Sequence, residues 1–399
     1  MRQKKKILIF STAYYPFVGG AEVAVKEITE RLGADFEFDM ITARLDSKIP
    51  KQEKIGNVRV FRIGIGNKII DKLWLAFFCH RLALKLYQQN NYDCVWAIMA
   101  SYGGLSASKF IAKIKGRRLP SATATPKFLL TLQEGDSPEH IARRTRFIKK
   151  QFKNIFQRAD YIQCISHYLA EWAKKMGALC PIEVIPNGVD TAHFSQIYPE
   201  TELNELKKKL NKVNDKFLIT TSRLVLKNAC DDVIKVLKFL PKDIKFIILG
   251  EGPDRKMLEK LAETEGVANR VIFLGLINHD ILPKYLRVAD IFIRPSLSEG
   301  LGNSFLEAMA VGLPVIATQK GGIADFLFDA VKNPDKNATG WAVNPRDPRG
   351  IAEKVKDILD HPSKTAETVA AAKKMVFEKY DWSVIAKDAR EKIFEKLMK

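Results

Sequence analysis

The chain is poor in the marks that assign a protein to a specialised class. Its 399 residues include only five cysteines, Cys79, Cys94, Cys164, Cys180 and Cys230, scattered and without a C-x-x-C pair. An odd, dispersed set excludes a disulfide framework and fits free thiols in a reducing cytoplasm. The six histidines are equally dispersed, with no pair at ligand spacing on one element, and no Asp-x-Asp occurs anywhere. The expectation is therefore no metal and no cofactor. A G-x-G-x-x-G fingerprint is missing, which removes the usual dinucleotide reading. No apolar run approaches the roughly 20 residues that span a bilayer. The N-terminal "MRQKKKILIF" is apolar only from Ile7 to Phe10 before polar residues and Pro16 intervene, so it is not read as a signal peptide. Low-complexity segments and short repeats are also lacking.

Positive charge, by contrast, is abundant. The formal net charge is +19, and residues 1–190 carry 31 Lys and Arg against 17 Asp and Glu, while residues 191–399 carry 34 against 29. Most of the excess lies in the first half, which favours an anionic partner there. Arg143, Arg146, Lys150 and Lys153 recur at spacings of three and four and are expected to share a helix face. Lys109, Lys113 and Arg117 repeat the pattern, and "KIIDKLWLAFFCHRLALKLY" is basic and rich in large apolar residues. Either these are ordinary solvated faces with apolar sides in the core, or they form a patch for anionic lipid. No nucleic-acid motif is present, so nucleic acid is not an expected partner.

The length argues for two or three domains. Short apolar runs such as "KKKILIF", "DCVWAIMA", "KFLLTLQE", "FLITTSRL", "KFIILGEGP" and "DIFIRPS" alternate with helical patterns. One such pattern spans 21–33, long ones cover 68–90, 138–158 and 346–378, and a polar stretch at about 195–214 separates two runs of this rhythm. Strands alternating with helices indicate α/β domains with parallel, doubly wound sheets. Their ligands bind beyond the carboxyl ends of the strands.

The segment "SLSEGLGNSFLEAMAVGLPVIAT" sets Glu299 and Glu307 on either side of Gly300 and Gly302, at the start of a helical pattern. A helix N-terminus attracts anions, and glycines admit a ligand to the backbone. One reading of Glu307 is a capping box with Ser304 as N-cap. The other is a ligand with hydroxyl-rich ends and an anionic middle, as in a nucleotide-sugar, its hydroxyls bound by the two carboxylates. Arg223 and Lys227 in "SRLVLKN" follow a strand, where a diphosphate held without a metal would need protein cations. Gly19-Gly20, between the first strand and the first helix, read as a phosphate-facing turn or equally as a plain tight turn. "LGEGP" reads as a turn or as a cleft-lining loop.

The ordered set formed by that Gly-Gly loop, "IPNGVD", "SRLVLKN", "ILGEGP", "VIFLGLI", "ADIFIRPSLSEGLGNSFLEAMAVGLPVIAT" and Gly321-Gly322 resembles the retaining glycosyltransferases of family 4. The spacing of Glu299 and Glu307 is the most specific mark. The resemblance implies the GT-B architecture: two doubly wound Rossmann-like domains facing an interdomain cleft. An acceptor-side domain would cover 1–188 and a nucleotide-sugar domain 189–375, with a terminal helix in 376–399 crossing back to the first. It also implies that Arg223 and Lys227 hold the donor diphosphate, Glu307 the ribose, and Glu299 the donor sugar near its transferred carbon. Gly300, Leu301, Gly302 and Asn303 would meet phosphate and sugar through their backbone, Gly19 and Gly20 would approach the diphosphate, and Ile277 the base. The implied activity is metal-independent transfer with retention, from a nucleotide-sugar to a glycan or lipid-linked acceptor. The implied place is the cytoplasm, peripheral to the membrane, in cell-envelope polysaccharide or glycolipid synthesis. Two positions depart from the pattern. Gln133 stands where the family usually has a histidine, followed by Glu134, and Asn228 stands where glycine is common. Glutamine does not titrate near neutral pH, so any proton handling on the acceptor side would pass to Glu134 or vanish. A nucleotide-sugar epimerase or hydrolase of the same architecture, and a non-catalytic glycan- or lipid-binding relative, remain as alternatives.

Overall fold

The computed structural model describes residues 4–116 and 125–398. The chain forms two compact units: one runs to Gly188 and resumes at Trp382, and the other is Val189–Asp381.

The strands of the first unit are β1 (Lys5–Phe10), β2 (Phe36–Ala43), β3 (Gln52–Ile55), β4 (Val58–Ile63), β5 (Cys94–Ile98), β6 (Lys127–Leu132), β7 (Tyr161–Cys164) and β8 (Ile182–Val184). They form one sheet in the order β3-β4-β2-β1-β5-β6-β7-β8. Its helices are α1 (Gly20–Leu32), α2 (Ile70–Phe78), α3 (His80–Asn90), α4 (Tyr102–Lys115), α5 (Pro138–Arg144), α6 (Lys149–Arg158) and α7 (His167–Lys175). All pairings are parallel except β3 with β4, which is antiparallel at the sheet edge. Ile7 to Phe10 of β1 are fully buried, as a strand covered by helices on both faces requires. Because β1 lies between β2 and β5, the strand order reverses there. The space beyond the carboxyl ends of β1 and β5 is therefore the unit's ligand-binding position.

The second unit contains α8 (Thr191–Ser195), α9 (Glu200–Lys209), β9 (Lys216–Thr221), α10 (Cys230–Val236), β10 (Ile244–Leu249), α11 (Arg255–Thr264), β11 (Val271–Gly275), α12 (Leu282–Arg287), β12 (Ile291–Arg294), α13 (Asn303–Val311), β13 (Val315–Thr318), β14 (Trp341–Val343), α14 (Pro348–Asp360) and α15 (Pro362–Lys379). Its sheet, in the order β11-β10-β9-β12-β13-β14, is parallel throughout. Here the order reverses at β9, between β10 and β12. Its core joins Leu218, Ile234, Phe246, Ile248, Ile291, Ile316 and Val355. The terminal α16 (Trp382–Ala389) and the π-helical turn after it belong to the first unit. There the Phe394 ring packs 5.3 Å from Trp96 and 5.5 Å from Phe36.

Several expectations are corrected. The pattern at 68–90 is two helices that meet at Cys79. The pattern at 138–158 breaks at Thr145 (φ −100°, ψ 9°) and passes through a 3-10 turn, Arg146–Ile148, before α6. Arg143, Arg146, Lys150 and Lys153 therefore lie on three elements and share no single helix face. Arg117, grouped with Lys109 and Lys113 by spacing, lies outside the described residues. The pattern at 346–378 divides at Pro362, whose ring suits the first turn of a new helix. The polar stretch at 195–214 contains a helix, α9, and β3 was not expected at all. Among the described residues no helix is long and apolar enough to cross a membrane.

Candidate active site

In the second unit the reversal point is built from two loops. Strand β9 ends at Thr221 and leads through Arg223 to a 3-10 turn, Leu226–Asn228, that carries Lys227. Strand β12 ends at Arg294 and leads to Glu299 and then to α13, whose N-cap is Gly302 at φ +96°, ψ 71°. Backbone and side chain tie the loops together. The Leu297 N–H donates to the Lys227 carbonyl at 2.7 Å. Arg294 is the larger link: its Nη1 donates to the Thr221 carbonyl at 2.9 Å and to Ser304 Oγ at 2.8 Å, and its Nη2 pairs with Glu299 Oε1 at 2.9 Å. Its guanidinium lies 4.2 Å from the Phe305 ring centroid. The two strands and the helix mouth thus share one buried cation. Arg223 is exposed on the loop above it, and the Asn228 amide donates to the Arg223 carbonyl at 2.6 Å.

Glu299 is oriented from three sides. Its carboxylate takes Arg294 and the Ser296 hydroxyl at 3.2 Å, and its carbonyl accepts the Gly322 N–H at 3.0 Å. A Cβ on Gly321 would stand 2.0 Å from that carbonyl, so the Gly321-Gly322 pair is a close backbone approach that seats the Glu299 loop. "LGEGP" serves the opposite loop in the same way: a Cβ on Gly252 would lie 2.2 Å from the Leu224 carbonyl. These glycines pack beneath the Arg223 loop.

The capping-box reading of Glu307 is overturned. Helix α13 begins at Asn303 with Gly302 as cap, so Ser304 lies inside the first turn and its hydroxyl accepts from Arg294. Glu307, five residues beyond the cap, reaches the His279 imidazole at 3.3 Å. That hydrogen bond raises the His279 pKa, against the effect of burial. His279 stacks on His193 at 5.8 Å, and its carbonyl accepts from His193 Nε2 at 3.1 Å. Ile277 precedes it in the same loop, half-buried. Gly300, Leu301 and Asn303 surround the helix mouth with Gly302, and Leu301 is buried.

In the first unit, Gly19 caps α1 and Gly20 opens it. The Glu22 carboxylate accepts the Gly19 N–H at 2.8 Å, capping the helix from its own first turn, and its pKa is raised by burial. Beyond β1, β5 and β6 lies a cavity of about 320 Å³ lined by Thr12, Glu22, Lys72, Ser101, Glu134 and Arg144 among others. Met99, on its wall, holds φ at +67°, the kind of backbone strain that clusters at functional sites. The buried Glu134 carboxylate accepts the Ala100 N–H at 2.5 Å and the Gln133 N–H at 2.9 Å. Burial raises its pKa to about 7, with those N–H groups opposing. The Gln133 side-chain oxygen accepts from Asn187 Nδ2 of "IPNGVD" at 3.0 Å. Among the described residues no group of three or more His, Cys, Asp or Glu is placed to hold a metal ion.

Comparison with known proteins assigns the family. The model for glycosyl transferases group 1 matches residues 202–375, and the model for glycosyltransferase family 4 matches residues 18–193. The chain belongs to the family 4 glycosyltransferases. An uncharacterised glycosyltransferase of Methanocaldococcus jannaschii is 26% identical, covering 96% of each chain. The alpha-monoglucosyldiacylglycerol synthase of Acholeplasma laidlawii is 26% identical over 83% of each. A GDP-mannose-dependent phosphatidylinositol monomannoside mannosyltransferase of Mycobacterium tuberculosis is 30% identical over 59% of this chain and 61% of its own. Among solved structures, sucrose-phosphate synthase from Thermosynechococcus elongatus has a TM-score of 0.81 at 19% identity over 99% of both chains. HepE from Anabaena, solved with UDP-glucose, has 0.76 at 19% identity over 98% of this chain and 99% of its own. The two α/β units of this glycosyltransferase are those of the GT-B fold.

Three of the glycosyltransferase's contact residues carried no signal in the sequence. Arg294 read only as a strand residue, His279 as one dispersed histidine, and Glu22 as part of a helical pattern. Their partners are distant in the chain or sit at a cap, so spacing does not reveal them.

Proposed function

We propose that the chain is a retaining, metal-independent glycosyltransferase that moves a sugar from a nucleotide-sugar to a glycan or lipid-linked acceptor. In this reading the donor lies on the second unit. Arg223 and Lys227 balance the diphosphate, the N–H groups at the mouth of α13 meet its oxygens, Glu307 takes the ribose hydroxyls and Glu299 the sugar hydroxyls. The observation that carries the reading is the joint made by Arg294. It holds the end of β9, the start of α13 and the Glu299 carboxylate as one rigid group, so cations, helix mouth and acid belong to one surface.

The chemistry then proceeds by electrostatics. The acceptor hydroxyl attacks the sugar carbon on the face from which the diphosphate departs. The C–O bond to phosphate breaks as the new glycosidic bond forms, and the departing phosphate oxygen takes the hydroxyl proton. No enzyme nucleophile is needed. Arg223 and Lys227 act on charge that grows as the bond breaks, so they serve rate more than ground-state binding. Gln133 does not titrate, and Glu134 is engaged by two backbone N–H groups, so neither is assigned the acceptor's proton.

The acceptor is placed at the cavity of the first unit. A lipid-linked glycan fits a cavity lined by Lys72 and Arg144 beside Glu22, Glu134 and Asp136, and the relatives named for diacylglycerol and phosphatidylinositol products support that class. Such an enzyme would work peripherally at the cytoplasmic face of a membrane, in glycolipid or envelope polysaccharide synthesis. The test is a product assay on purified nucleotide-sugars with lipid acceptors. A glycoside of the donor's anomeric configuration is expected, and it should fall by orders of magnitude in Glu299→Ala and Arg223→Ala. Free sugar or an epimer would point to the hydrolase or epimerase alternative, and no nucleotide release to a binding protein.

A further inference from the structure

Helix α2 is inside out. Apolar residues at i, i+3, i+4, i+7 and i+8 form one stripe along a helix, and that stripe normally faces the core. On α2 the stripe is Ile70, Leu73, Trp74, Phe77 and Phe78, exposed by 46, 46, 43, 49 and 54%. Ile65 and Ile69, in the loop before it, are exposed by 56 and 74%. The inward side is Asp71, Leu75 and Ala76. Asp71, fully buried, is what fixes this orientation. Its carboxylate accepts the N–H groups of Leu45 at 3.2 Å, Ile65 at 2.9 Å and Gly66 at 2.8 Å. Rolling the stripe inward would break all three bonds.

The exposed charge on α2, α3 and α4 has one sign. Between Gly64 and Tyr92 the only acid is the buried Asp71, while Lys68, Lys72, Arg81 and Lys85 stand in the same segment. Helix α4, packed against α2, carries Lys109, Lys113 and Lys115 and no acid, and Lys109 Nζ lies 4.0 Å from the Phe77 ring centroid. Lys72 of α2 and Arg144 of α5 line the same cavity, beside Glu22, Glu134 and Asp136, with Arg144 paired to Asp136 at 3.5 Å. Beyond Arg144, Phe147 is 84% exposed with the Arg146 guanidinium 4.5 Å from its ring. Large apolar side chains framed by cations match the interface of an anionic bilayer. A second copy of the chain would bring the same cations against them.

We propose that this face, the outward stripe of α2 together with Phe147, docks the protein on anionic lipid and brings the first unit's cavity to the membrane surface. The docking itself stands apart from catalysis; only its service to a lipid acceptor rests on the function proposed above.

The chain contains its own reporter. Of its five tryptophans, Trp96, Trp172, Trp341 and Trp382 are buried, and Trp74 is in the stripe. The experiment adds the full chain to phosphatidylcholine vesicles with and without phosphatidylglycerol. Binding is read by sedimentation, and insertion by the emission shift and acrylamide quenching of Trp74. Anionic vesicles should bind the protein, shift the emission to the blue and protect Trp74, while neutral vesicles and high salt weaken binding. Trp74→Ser with Phe77→Ser, at exposed positions, should lower vesicle affinity on the order of a hundredfold with the fold intact by circular dichroism. Lys68→Gln with Lys85→Gln should lower it on the order of tenfold. Failure to bind anionic vesicles, or binding that leaves Trp74 fully quenchable, would overturn the proposal. So would a lipid-free dimer dispersed by the Trp74 and Phe77 substitutions, which would assign the stripe to a second copy. Docking without transfer to any lipid acceptor would remove the acceptor assignment and leave the docking face standing.

Discussion

Replacing Arg294 with methionine tests the joint on which the donor surface is built. Arg294 is 7% exposed at its side chain and Glu299 12%, so their ion pair is screened little by water. The substitution keeps an apolar body against Phe305 but removes the bonds to Glu299, the Thr221 carbonyl and Ser304 Oγ. Glu299 would then keep one hydroxyl, Ser296, for a nearly buried charge. Breaking a buried pair from one side costs about 3–5 kcal/mol, a large share of the ~5–15 kcal/mol that stabilises a domain. The deficit should therefore appear as a marked drop in the denaturant midpoint, accompanied by lost transfer activity as Glu299 loses its orientation. Adding Glu299→Gln removes the stranded charge, so the double variant should recover part of the stability and none of the activity. Chemical denaturation of the parent and both variants, followed by tryptophan emission and circular dichroism together, measures this. A cost below about 1 kcal/mol for Arg294→Met, or a double variant less stable than the single one, would refute the reasoning.

Other outcomes follow from neighbouring groups. The raised pKa of His279 means its bond to Glu307 adds stability that is full below the unfolded value near 6.5 and fades as pH rises through the folded one. Melting curves between pH 5.5 and about 8 should show a small decline that is missing in His279→Gln, and an identical slope in both would reject the pair. Glu134 has the opposite origin: burial raises its pKa from 4.5 to about 7, so the folded state binds its proton more tightly than the unfolded chain. Its contribution is fullest in acid and is lost as pH rises from ~4.5 through 7, at up to about 1.4 kcal/mol per pH unit. Glu134→Gln should flatten that part of the stability profile. Gly321→Ala, which would force a Cβ to 2.0 Å from the Glu299 carbonyl, should depress activity through the displaced loop, visible as a fall in kcat for a folded protein.

Much of the fold was legible because parallel sheets leave a coarse signature. Runs such as Ile7–Phe10 and Phe246–Leu249 are apolar throughout because helices cover both faces of the strands. The edge escaped. β3 reads "QEKI", a polar strand stabilised by its partner's backbone, so its composition looks like loop. α9, without a buried residue, looks the same. The break at Thr145 and the meeting of α2 and α3 at Cys79 interrupt patterns that seem continuous, because periodicity does not register a single irregular residue. In the site, loops and glycines were readable from spacing. The bonds that orient the acids were not: Arg294 reaches Ser304 and Thr221, and His279 reaches Glu307 across 28 residues. Nor did apolar content show that the stripe of α2 faces outward, which depends on where Asp71 is anchored.

The most direct measurement is a thermal-shift titration of the chain with a panel of nucleotide diphosphates and nucleotide-sugars without added metal, repeated with Arg223→Ala, Lys227→Ala and Glu307→Ala. A ligand that binds only the folded protein raises its melting temperature with concentration. The expected result is stabilisation by at least one nucleotide-sugar and its diphosphate, weakened in each variant, with unliganded melting of the exposed Arg223→Ala variant close to the parent's. A panel without any stabilising nucleotide, or stabilisation unchanged when Arg223 and Lys227 are both removed, would contradict a donor surface at the mouth of α13.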